Sequence, residues 1–158
     1  MKSLHNILLT ACVAMLALIC YLGISGPLTF DGSRARRESA VKDRLLKIRS
    51  AEEHFKRDKG IYAGRFEDLI QGGYLADTLR YIPYSDGESF HLRATSLKSR
   101  DGQPAPVMEC GAEYQQYLQG LDQHMIDQLI STAVDMGEYP GLKIGDVSKD
   151  IHNRGNWE

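Results

Sequence analysis

The chain has 158 residues, a length that suits one compact domain. Nineteen Lys/Arg face twenty-one Asp/Glu, for a formal charge of −2, and no basic face emerges, which argues against a nucleic-acid partner. Of three cysteines, Cys12 and Cys20 lie in one apolar stretch and Cys110 stands alone in the remainder, so no internal disulfide forms there.

Residues 7–24 read ILLTACVAMLALICYLGI, without a charge. Eighteen residues at ~1.5 Å rise make ~27 Å of helix, near the ~30 Å of a hydrocarbon core. The spacing predicts a transmembrane anchor over residues 1–28. A cleaved signal peptide, with Gly23-Ile24-Ser25 as its site, competes with it, but its apolar region should be only ~7–15 residues long. A lipid on Cys12, in Leu9-Thr10-Ala11-Cys12, is the third reading; the apolar run continues well past that residue. Only Lys2 precedes the span, while Arg34, Arg36, Arg37, Lys42 and Arg44 follow it. By the positive-inside rule alone, the rest of the chain would then be cytoplasmic.

Gly26-Pro27 is expected to break or kink the helix, and residues 29–38 read as a polar connector with a turn at Asp31-Gly32. A domain over 39–158 follows. Val41, Leu45, Ile48, Ala51 and Phe55 form one apolar stripe on a helix that Ser39 caps and Gly60 ends. Glu52 and Glu53 sit on its polar faces, paired i,i+4 with Lys56 and Arg57. A single helical turn carries Phe66, Leu69 and Ile70 before Gly72-Gly73, and residues 79–84 read as a short extended segment. In SFHLRATSL, residues 89–97, Phe90, Leu92 and Ala94 alternate with His91, Arg93 and Thr95, the mark of a half-buried strand. Asp101-Gly102 turns the chain into APVMECGA, so 89–110 reads as a hairpin. A second helix runs through Met125, Leu129, Ala133 and Met136, with Asp122 as cap and Gly137 as stop, and Leu142–Ile144 adds a short strand.

Ile48, Ala51-Glu52-Glu53, Phe55, Gly60, Tyr62, Leu69 and Gly73-Tyr74-Leu75 together resemble the type IV pilin and type II secretion pseudopilin family. The likeness covers residues 41–75 and the general plan. It implies an α+β fold: an N-terminal transmembrane helix, an amphipathic helix on a small antiparallel sheet, and a second helix near the C-terminus. It also implies a periplasmic domain, against the arginine count. The family's peptidase site, a Gly followed by an aromatic and then a Glu before the apolar helix, is absent, as is a glutamate within the span. The closing YPGLKIGD…NRGNWE is similar to small membrane proteins of Bacteroidetes-type bacteria, a likeness that implies ExbB/ExbD-type motors as candidate partners.

Residues with chemical capacity do not converge. The five histidines show no metal-ligand spacing, and His124 with Asp127 reads as a solvated pair. Cys110 has no activating neighbour in sequence, and neither a phosphate loop nor a nucleophile elbow is present. No catalytic residue, metal or cofactor is expected. Candidate partner or lipid contacts are Arg34, Arg36 and Arg37, which also read as a solvated arm, and Trp157, which also reads as docked on its own domain. The expected function is that of a single-pass inner-membrane structural or accessory subunit. It would meet the membrane and secretion or ExbB/ExbD-type components, with its soluble domain periplasmic. The alternative is a membrane-tethered ligand-binding module.

Overall fold

The computed structural model describes residues 2–98 and 103–158; within the first helix, the side chains of 2–5, 8 and 21–28 are not described. Helix α1 runs Lys2–Lys59, followed by α2 Phe66–Gln71, a 3-10 turn Asp77–Arg80, β1 His91–Lys98 and β2 Pro104–Glu113. Then come α3 Tyr114–Tyr117, α4 Gln123–Asp135 and β3 Gly141–Gly145. Two compact units result, residues 1–35 and 36–158.

The α+β class with a small antiparallel sheet is as expected; the membrane-spanning helix is not. Among the described residues no helix is long and apolar enough to cross a membrane. The longest apolar run with described side chains is residues 9–20, which at ~1.5 Å per residue is ~18 Å, well short of a bilayer core. Residue 8 and residues 21–24 of the expected span lie outside the described side chains. This contradicts the expected transmembrane anchor, single-pass inner-membrane location and periplasmic domain.

Nor does α1 break at Gly26-Pro27 or open into a connector at 29–38, and Ser39 caps nothing. Proline removes one amide donor, but its fixed φ is compatible with a helix, so the chain continues through it. Lys59 ends the helix and Gly60, at φ +78°, reverses the chain, its amide bonded to the Lys56 carbonyl at 2.7 Å.

In the second unit the buried line of α1 is Val41, Leu45, Ile48, Ala51 and Glu52. Phe55 is only half-buried, edge-on to Tyr74 at 5.3 Å. The sheet order is β1-β2-β3, all antiparallel, with His91 opposite Gly111 and Glu109 opposite Gly145. The central strand alternates as a half-buried strand should: Met108, Cys110 and Ala112 are fully buried, and Glu109 and Glu113 face outward. Leu142, Ile144, Leu69, Tyr117, Leu118 and Ile126 are buried with them in the core. Asp122 caps α4 by accepting from the Met125 amide at 3.2 Å. Residues 79–84 form the end of the 3-10 turn and a bridge from Tyr81 to Ser89 rather than a strand. The expected turn at Asp101-Gly102 lies outside the described residues.

Candidate interaction surfaces

The outer face of the sheet carries a cleft of about 420 Å³. Gly111 on the central strand is its floor, since a residue without a side chain leaves a gap between His91 and Lys143 on either side. Tyr139 reaches over that gap; a Cβ on Gly111 would stand 3.1 Å from the Tyr139 hydroxyl. Burial, followed by the nearby Glu113 and Glu109 carboxylates, pushes the Tyr139 phenol well up from its usual range. One row along, Arg93 donates to Glu109 Oε1 at 2.6 Å and Lys143 to Oε2 at 3.2 Å. Burial would raise the Glu109 carboxyl, but these two cations hold it below the usual carboxylate range. Cross-strand charge is thus largely neutralised within the sheet.

The same sheet has an open edge. Among the described residues β1 pairs only with β2. Ahead of it the edge is covered: the Phe90 amide donates to the Arg80 carbonyl at 2.9 Å, and the Ile82 amide to the Glu88 carbonyl at 2.8 Å. That cover stops where β1 begins.

The first unit presents a different surface. Ile7, Leu9, Val13, Leu16, Leu18 and Ile19 are each more than half exposed. At ~100° per residue they are spread around the whole helix, not along one stripe.

The four residues singled out in the sequence have distinct fates. Arg34 is half-buried and engaged, and Arg36 is exposed. Arg37 is structural: it donates to the carbonyls of Tyr117 and Gln119, both at 2.9 Å, and its guanidinium lies 5.0 Å from the Tyr84 ring centre. Trp157 is half-buried, close against Gly155, with Lys42 Nζ 5.7 Å from its ring centre, so it docks on its own domain. Arg37 and Trp157, both in the second unit, make separate contacts.

Sequence reasoning missed Glu52. Its side chain is fully buried and Oε2 accepts the Ala63 amide at 2.8 Å, while Oε1 has no partner among the described residues. Lys56 does not pair with it but donates to Tyr62 Oη at 3.2 Å, over whose ring it also lies. Burial raises the Glu52 carboxyl to about 7 against the Ala63 hydrogen bond, which lowers it, and Asp68 adds to the rise. Burial, with Glu52 next, likewise pushes the Cys110 thiol up, which leaves it inert as a nucleophile. The signal was available: Glu52 stands four residues after Ile48, in step with 41, 45 and 48. Among the described residues no group of three His, Cys, Asp or Glu could hold a metal ion.

No family model, curated protein or solved structure matches the chain.

Proposed function

We propose that the chain is a non-catalytic structural or accessory subunit of a multi-protein machine, of the secretion or ExbB/ExbD-type energy-transducing kind, with a pilin-like domain. It works through protein–protein contacts. The observation that carries this reading is residues 9–20 of the first unit's helix, apolar around the circumference and exposed, with Val13 at 59% and Leu16 at 62%. A helix apolar on all sides is normally enclosed rather than left in water, and large exposed apolar patches mark contact sites. The succession of long helix, short helical turn and antiparallel sheet supports the pilin-like part.

A photo-crosslinking side chain at Val13 or Leu16 tests it in cells. The expected result is one discrete adduct with a single partner polypeptide, absent when the probe stands at exposed Asp127. Adducts with lipid alone, or none, would overturn the reading. The second reading, a ligand-binding module, draws on the 420 Å³ cleft. It ranks lower because Lys143 there is already paired with both Glu109 and Asp146, and Arg93 with Glu109 through one of its nitrogens.

A further inference from the structure

The open edge of β1 has a defined chemistry. In an antiparallel ladder, alternate residues direct both backbone groups to the same side. The Phe90 amide points away from β2, to Arg80, so Leu92, Ala94 and Ser96 point their backbone groups the same way. Among the described residues nothing bonds to them; the ladder that begins with Arg80 simply ends. A row of unpaired amides and carbonyls is a template for another strand.

The side chains select which strand. Opposite an added strand, His91 and Arg93 occupy the positions between its hydrogen-bonded pairs, where cross-strand side chains approach most closely. Both are exposed on the outer face. Among the described residues Arg93 commits only Nη2, to Glu109, and its side chain remains 57% exposed, leaving donors for a second carboxylate. A second copy of this chain cannot supply that carboxylate from the same edge, because HLRATSLK contains no acidic residue. Edge-to-edge self-pairing would bring together only basic and neutral side chains.

We propose that the outward edge of β1 accepts an extended segment of a partner protein by strand addition, with acidic side chains at alternate positions meeting His91 and Arg93. This rests on the reading of the chain as a contact-making subunit, yet uses a surface separate from the apolar helix. Crosslinks at Val13 can therefore succeed or fail independently of it.

The test uses the full chain and two fluorescent peptides, Thr-Val-Glu-Val-Glu-Val-Thr and its counterpart with Lys for Glu. Binding is read by anisotropy and amide exchange by NMR. The acidic peptide should bind at least tenfold more tightly. It should slow exchange at Leu92, Ala94 and Ser96 at least tenfold, leaving the Arg93 and Thr95 amides, already in the ladder, unchanged. Arg93→Glu should reverse the peptide preference and Arg93→Gln should reduce it. No binding, equal affinity for both peptides, or binding without protection of those three amides would each overturn the proposal.

Discussion

The amide of Ala63 donates to Glu52 Oε2 at 2.8 Å inside the core, tying the loop after α1 back to the helix it has just left. One hydrogen bond does not replace the water a carboxylate loses on burial, so the neutral acid is the form that fits. With a folded pKa raised to about 7 against an ordinary 4.5, the folded state holds a proton that the unfolded chain releases. This stabilising contribution is complete below pH 4.5, declines as pH rises towards 7, and is gone above it. A change of that size corresponds to about 3 kcal/mol. Glu109 and Asp146, both held below their usual range, act with the opposite sign and weaken the fold only in stronger acid. Denaturant melts at pH 5 and pH 8 should therefore show the greater stability at pH 5, and Glu52→Gln should flatten the difference. An unchanged pH profile in that variant would assign the dependence elsewhere.

Arg37 and Arg36 are neighbours in sequence but not in consequence. Arg37 satisfies two carbonyls some eighty residues away. Hydrogen bonds to a charged donor contribute roughly 1.5–3 kcal/mol. Arg37→Ala should lower stability by about 2 kcal/mol, whereas Arg36→Ala should stay within about 0.5 kcal/mol of the parent. Equilibrium denaturation of the two variants separates them. Reversing all three arginines of the arm should thus damage the fold through Arg37.

The sheet was legible because its signals are local. Alternation of Phe90, Leu92 and Ala94 with His91, Arg93 and Thr95 fixes the faces, and one polar loop fixes the pairing direction. The Asp122 cap was legible for the same reason. Helix α1 was misread because Gly26-Pro27 and Asp31-Gly32 are local breakers, while helix continuation needs only compatible dihedrals. Glu52 was missed because charge suggested a solvent face, although its spacing matched the buried line. Arg37 could not have been found locally, since the carbonyls it serves belong to the distant 117–119 segment. The open edge of β1 depends on strand order, which residue patterns leave undetermined.

Gly145 and Gly137 share a φ of +69° but differ in their surroundings. A Cβ at Gly137 meets nothing within 4 Å, whereas one at Gly145 runs into the Met108 carbonyl oxygen on the neighbouring strand. Gly137→Ala should cost only the left-handed conformation, about 1–2 kcal/mol. Gly145→Ala adds a clash with backbone that cannot yield without parting β2 from β3, so its loss should exceed that of Gly137→Ala by at least about 2 kcal/mol. Thermal unfolding of both proteins decides the matter; similar losses would mean that the β2–β3 pairing relaxes freely.

The C-terminal segment is held by a buried polar contact, not by Trp157 alone. Asn153 Nδ2 donates to Tyr62 Oη at 2.7 Å, and Asn153 itself is buried. Its φ is +55°, a conformation that asparagine tolerates better than most residues. At the chain end, Arg49 reaches Glu158 at 3.0 Å. A hydrogen bond from the Gly155 amide, then Arg49, hold that carboxyl below its usual range. Asn153→Ala removes the donor to Tyr62 and strains the turn, for an expected loss of about 2–3 kcal/mol. Glu158→Gln breaks only an exposed pair and should cost less than about 1 kcal/mol. Trp157 fluorescence reads the tail directly: in Asn153→Ala its emission should shift to longer wavelength at a lower denaturant concentration than in the parent. If the indole signal and the far-ultraviolet signal still move together at the parent's midpoint, the Asn153–Tyr62 contact does not hold the tail.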